Sequence, residues 1–245
     1  GRVFIERAEQ VLRSETALRR EIELLAGIEE GQLSIGAAPY PTQISVGPAI
    51  GRLVARHPRL RVLCFTRDAR VIQQDVLLEN LDLGVATITD AEYDPRLELI
   101  PVPPQRLYFA CRPGHPLLKL AQPDFAQVAR YPLVTTLLMG PYAYAMGHGG
   151  RFPTTRSSNI PDAHPAIQVD SLAMGRQIAQ SSDAVFPGTA AMLADDLDSG
   201  RLVRLETDAP ALRTGYCILR LKGRTMSPAA RAFVEIFLAV EKEQQ

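Results

Sequence analysis

With 245 residues and 46% hydrophobic side chains, the chain can bury one large core or two smaller ones, which excludes a disordered polypeptide. Lys plus Arg and Asp plus Glu balance at 27 each, so these residues do not form the uniformly basic surface of a protein that grips DNA phosphates. The longest apolar stretches, such as VFPGTAAMLA, reach about half of the ~20 residues that a membrane span needs, and no charged-then-apolar leader is seen, so a soluble protein without membrane contact is expected.

The first predicted element is a helix. Phe4, Val11, Leu18 and Leu25 are spaced by seven, and Ala8, Glu15 and Ile22 fill the complementary seam, so only Glu15 is polar in a heptad stripe. The flanks are rich in Arg and Glu, and the pattern stops near Gly27 and Gly31. Such a stripe packs either on the domain that follows or on a partner helix. The narrow seam and charged flanks favour a partner, with Phe4, Ala8, Val11, Leu18, Ile22 and Leu25 as the dimerisation residues. No capping Ser, Thr, Asp or Asn precedes the helix, so an upstream segment is expected.

After residue 31 short apolar runs alternate with helical stretches. QLSIGAA reads as a strand, and Val46, Ile50, Leu53 and Val54 line a helix that stops at His57-Pro58. RVLCFT is a second strand, VIQQDVLLENL a second helix, and LDLGVATI a strand apolar enough to be covered on both faces. This is a βαβαβ unit. LELIPV and RLYFACRP follow as strands separated by Pro103 and Pro104. A second α/β set is then predicted: YPLVTT, IQVD, helix SLAMGRQIAQ, strand AVFP, helix TAAMLADDL and strand RLVRLE. The chain ends on strand GYCILRL and a helix capped by Ser227 with Pro228 in its first turn, its apolar face made by Phe233, Ile236, Phe237 and Val240. The prolines at 103 and 104 and the turn DAP at 208–210 are places to cross between two lobes. The expected organisation is a linker helix over 1–28, lobe I over 29–103 and 208–245, and lobe II over 104–207, with a ligand cleft between the lobes.

Chemistry-bearing clusters are sparse. Cys64, Cys111 and Cys217 each sit inside a strand-like run, as reduced, buried cytosolic thiols do. CxxC, HExxH, GxSxG, GxxxxGK and GxGxxG are all absent, so no metal site, no cofactor and no catalytic residues are predicted. His57, His115 and His164 each precede a proline and punctuate element ends, and His148 lies in the Gly-rich GHGG.

Taken in chain order, GRVFIERAEQVL, LSIGAAP, FTRDARVIQQDVLLENLDLGVA, RPGHPL, VDSLAMGRQIAQSSDAVFPG and MSPAARAFVEIFL resemble the LysR-type transcriptional regulators over nearly the whole length. The resemblance implies a linker helix that follows a winged helix-turn-helix not contained in these residues. It also implies an α/β effector domain of two Rossmann-like lobes of periplasmic-binding-protein type. Its partners would be a small-molecule effector, promoter DNA through the missing helix-turn-helix, and further copies of itself as dimer or tetramer, in the cytoplasm.

Ligands of parallel α/β lobes sit beyond the C-terminal strand ends, where helix N-termini present unpaired N–H groups. Three such places are predicted. One is AAPYPTQ, with Pro39, the Tyr40 ring and the Thr42 hydroxyl. Another is VTTLLMG, with Thr135, Thr136 and Leu137. The third is DSLAM, where Asp170 or Ser171 caps a helix near Phe186 and Pro187. The resemblance places the effector pocket at these positions, and Thr42 and Ser171 read equally as helix caps. Hydroxyls and backbone amides suit a polar effector such as a carboxylate. Between Met139 and Ala166, where the family usually has an amphipathic helix, four glycines and four prolines argue against a long regular one. That span reads as a surface connection or as a loop over the cleft carrying Tyr142, Tyr144, His148 and Arg151. Two rival readings share the architecture, a transport-type solute-binding protein and an enzyme. The first has no use for a heptad helix, and the second lacks a catalytic constellation.

Overall fold

The computed structural model describes residues 31–87, 93–135, 166–207 and 213–244, together with Arg7, Val11 and Glu15, which are helical. The chain forms two compact units, one of Gly1–Thr87, Asp94–Val102 and Tyr216–Gln245, the other of Ile88–Tyr93 and Pro103–Gly215. Apart from the short stretch Ile88–Tyr93, the chain thus passes to the second unit after Val102 and returns after Gly215. The second passage comes that late because Arg213–Thr214 still pairs with a strand of the second unit. The turn at 208–210 lies outside the described residues.

In the first unit, β1 (Gln32–Ala37) runs parallel to β2 (Arg61–Thr66) on one side and to β3 (Leu83–Ala86) on the other. The sheet then turns antiparallel. The late strand from the chain's end, Cys217–Leu221, inserts between β3 and β4 (Leu97–Pro101), giving the order β2, β1, β3, late strand, β4. After β1 the chain makes a single turn, Pro39–Pro41, a π-helical turn, Thr42–Val46, and then α1 (Gly47–Arg56). Leu53 is fully buried, whereas Val54, one residue and about 100° further round the helix, is 36% exposed and lies off the predicted face.

α2 (Ala69–Leu77) begins two residues before its apolar pattern because Asp68 caps it, accepting from the Arg70 amide at 2.9 Å. It lies close on the sheet. A Cβ on Gly36 would come within 2.5 Å of Leu81 Cδ1, and one on Gly84 within 2.5 Å of Ile72 Cγ2. β2 is the sheet edge, which leaves Cys64 exposed and Phe65 39% exposed, against the expectation of a buried thiol.

In the second unit, β5 (Gln105–Cys111) is central and antiparallel to three partners: β8 (Phe186–Thr189) on one edge, and β9 (Val203–Arg204) and β10 (Arg213–Thr214) on the other. β6 (Leu133–Thr135) and β7 (Ala166–Gln168) form a parallel pair, and a bridge from Leu133 to Val185 joins β6 to the start of β8. Between β5 and β6 lie a 3₁₀ turn, Pro116–Lys119, and a short helix, α3 (Phe125–Val128), closed by a reciprocal Asp124–Gln127 capping box. His115 does more than mark an element end. Its ring is fully buried, Nδ1 accepts from the Leu117 amide at 3.1 Å, and Nε2 therefore carries the proton facing the Asp183 carbonyl at 3.1 Å.

α4 (Leu172–Ser181) crosses close over Gly175, where a Cβ would stand 2.9 Å from Val134 Cγ1 and 3.0 Å from Phe186 Cε2. α5 (Ala190–Asp198) follows β8 directly. The late strand of the first unit is β11, and α6 (Pro228–Glu243) ends the fold. Ser227 caps α6 as predicted, with Phe233, Phe237 and Val240 buried to within 1%.

Candidate functional site

In the first unit the C-terminal ends of the parallel strands stand level. Ala37 pairs with Thr66 and with Val85, the Ala38 amide donates to Val85 O at 2.8 Å, and the Arg67 amide donates to Ala37 O at 3.2 Å. Pro39 is half-buried beyond this edge. Tyr40 is only 8% exposed, and desolvation pushes its phenol well above the ordinary tyrosine range, so its hydroxyl stays protonated. Thr42 differs from both expectations. It is not an N-cap, and its hydroxyl is committed as a donor to Pro39 O at 2.6 Å, with Ala38 O at 3.3 Å, leaving lone pairs to accept. A threonine hydroxyl in a helical turn bonds back to the carbonyls three and four residues before it, as Ser181 does at the end of α4.

Arg67 was not singled out from sequence. It is exposed just past the end of β2, donates from Nη1 to Thr66 O at 3.0 Å, and lies over the Phe65 ring at 5.3 Å. Its sequence signal is slight, a basic residue between a strand and the Asp68 cap.

In the second unit Thr135 ends β6 opposite Gln168, which ends β7, and Ser171 follows three residues later. Ser171, not Asp170, caps α4, accepting from the Met174 amide at 3.3 Å. Thr189 caps α5 in the same way, accepting from Met192 at 3.3 Å. Both helices therefore open at the C-terminal edge of the parallel set, each with its partial positive charge and unpaired amides there. Phe186 is 1% exposed, its ring beneath Gly175 and Gly188, so the side chain belongs to the core of the unit. Met174, 50% exposed in the first turn of α4, is the apolar side chain beside the Ser171 cap. Thr136, Leu137, Tyr142, Tyr144, His148 and Arg151 lie outside the described residues.

Burial raises the thiols of Cys111 and Cys217 to about 11, so both are protonated at neutral pH and poor nucleophiles. Among the described residues no group of His, Cys, Asp and Glu could hold a metal ion, and no helix is long and apolar enough to cross a membrane.

The fold and these strand ends have known counterparts. The LysR substrate binding domain family matches residues 26–242. A similar protein is the SDS degradation transcriptional activation protein of Pseudomonas sp. (strain ATCC 19151), 32% identical over 243 residues that cover 97% of this chain and 76% of that protein. The HTH-type transcriptional regulator GbpR of Azospirillum brasilense is 24% identical over 94% of this chain and 66% of its own length. Among solved structures, the effector binding domain of QuiR in complex with shikimate superposes with a TM-score of 0.64 at 17% identity, covering 87% of this chain and 98% of that one. CrgA, a LysR-type transcriptional regulator from Neisseria meningitidis, gives 0.65 at 15% identity over 98% and 79%. Family match, relatives and strand-end architecture agree, and the chain belongs to the LysR family as the effector-binding part of a transcriptional regulator.

Proposed function

We propose that the effector is a small carboxylate or a similarly polar metabolite, held at the C-terminal strand ends by Ser171, Thr135, Thr136 and Leu137 in the second unit and by Pro39, Tyr40 and Thr42 in the first. The observation that carries this reading is the pair of helix N-termini, α4 and α5, opening at one edge of the parallel strands with hydroxyl caps. Arg67 adds a guanidinium at the strand ends of the first unit, which suits an anionic group. Phe186 enters through its backbone, since its ring is enclosed. Shikimate, the ligand of the QuiR domain, is a carboxylate, and the SDS-linked relative makes sulfate esters and the acids derived from them worth including.

In the working protein, residues 1–28 would form a self-associating linker helix, leading from a helix-turn-helix that contacts promoter DNA, in a cytoplasmic dimer or tetramer. Val11 is 68% exposed, as an apolar seam residue of a pairing helix would be; Phe4, Ala8, Leu18, Ile22 and Leu25 lie outside the described residues. The lobe boundaries at 103 and 208 and a ligand cleft between the lobes belong to the same proposal. Effector occupancy would then shift the arrangement of the assembly. The relatives are regulators, which speaks against an enzyme.

The test is a thermal-shift screen of carboxylates, sulfate esters and neutral apolar compounds, followed by calorimetry with the hits. Ser171→Ala and Arg67→Gln should each weaken a carboxylate hit by about tenfold, equivalent to ~1.4 kcal/mol. If only neutral apolar compounds bind, the proposal fails. Sedimentation of Leu18→Asp/Ile22→Asp tests the seam, and unchanged association would remove it.

A further inference from the structure

One face of β5 collects arginines. Alternate side chains of a strand share a face, so Arg106, Tyr108 and Ala110 lie together, opposite the buried Leu107 and Phe109. Arg213 of β10 stands directly across from Arg106 in the antiparallel register, and Arg204 of β9 stands across from Ala110. Directly opposed residues point to the same side with Cβ atoms about 5 Å apart. Three guanidinium groups therefore rise from one face, two of them over one ring, Arg204 at 3.9 Å and Arg106 at 5.2 Å from the Tyr108 centroid. All three arginines are exposed.

Among the described residues their charge is poorly matched. Among the described residues one carboxylate, Glu206, pairs with the group, 3.4 Å from Arg204 and itself 72% exposed. Among the described residues Arg213 donates to the Pro104 carbonyl, at 3.5 Å. Like charges directly across a strand pair destabilise it, so the Arg106–Arg213 pairing is not explained by stability. A chain with balanced charge has no general excess of cations that would place them there by chance of composition.

The geometry also selects among anionic partners. Small metabolites are enclosed in concave pockets, whereas this is a sheet face, which fits an extended chain. Guanidinium forks match carboxylates two bonds at a time. Arg213 and Arg204 stand across from β5 positions four residues apart, roughly 13 Å, which is also the spacing of side chains four apart on an extended peptide. Three cations fall short of the six to ten phosphate contacts, roughly, of a tight duplex-DNA surface.

We infer that the Arg106–Tyr108–Arg204–Arg213 face of β5 docks an extended acidic segment of a partner protein. None of these arginines is among the residues proposed to hold the effector, and the test needs no effector. A labelled peptide of alternating glutamate and serine, titrated with the whole chain and followed by fluorescence anisotropy, should bind with strong salt dependence. Arg106→Glu/Arg213→Glu should weaken binding at least about tenfold, while Arg231→Glu, an exposed position on α6, should leave it unchanged. Should the double variant not fold, Arg106→Gln serves: relieved of the opposed charge, it should melt no lower than the parent and still bind about threefold more weakly. Equal binding by parent and folded variants overturns the inference. So does tighter binding of a duplex DNA of matched charge, or complete displacement of the peptide by millimolar inorganic phosphate.

Discussion

Replacing Tyr216 by Phe removes one oxygen and keeps the ring where it packs edge-on against Phe237, centroids 6.5 Å apart. The lost hydroxyl is 2.5 Å from Glu241 Oε1, to which it donates, and both residues are enclosed, Tyr216 at 6% exposure and Glu241 at 0%. Buried Ser45 of the π-helical turn adjoins the pair. A hydrogen bond to a charged group contributes about 1.5–3 kcal/mol, and the carboxylate left behind cannot recruit water, so Tyr216→Phe should cost about 2 kcal/mol. For a chain of this size that lowers Tm by roughly 4–8 °C.

Burial and the neighbouring Glu241 charge raise the Tyr216 phenol above its unfolded value near 10. A raised folded pKa gives stability that is complete below the unfolded value and is lost as pH climbs from there through the folded one. The gap between parent and variant should therefore be constant from about pH 6 to 9. Melting curves read by circular dichroism at several pH values measure it. Glu241→Gln/Tyr216→Phe should lose less than the sum of the single variants, because the acceptor that lost the phenol is then uncharged. A cost under ~0.5 kcal/mol for Tyr216→Phe, or strictly additive losses, would refute the reasoning.

Other perturbations probe different links. Gly84→Val places a Cβ 2.5 Å from Ile72 Cγ2 and should cost about 1–3 kcal/mol by lifting α2 from the sheet, seen as a lower Tm. Asp196, 6% exposed at its side chain, accepts from Gln180 at 3.0 Å and from Arg201 at 2.8 Å and pairs with Arg176 at 3.4 Å. Asp196→Ala should cost about 2–3 kcal/mol by urea unfolding, less than for fully buried ions because Arg201 keeps water contact. Iodoacetamide at pH 8 with mass-spectrometric readout should label Cys64 first, since Cys111 and Cys217 titrate near 11; equal rates would contradict their burial.

The helices were legible because their signals are local. Ser227 with Pro228, Ser171 before LAMG and the apolar face of α6 are determined within a few residues of chain, and the structure keeps all three. Thr42 read as a helix cap, but its hydroxyl bonds back to Pro39 O because the turn it joins begins earlier, at Pro39. Phe186 was recognisably in a strand, but which way its ring points depends on Gly175 of α4 crossing above it. The edge position of β2 was likewise hidden, since edge and centre differ only in whether a second neighbour pairs.

By itself, then, the sequence determined the element order, the caps, two sets of α/β elements and the family, because periodicity and capping act over one or two turns of backbone. Only the tertiary structure decided that β11 inserts antiparallel into a parallel sheet, that Tyr216 meets Glu241, and that Arg106, Arg204 and Arg213 share one face. Those juxtapositions join residues far apart along the chain, and pairing register across strands, not local propensity, brings them together.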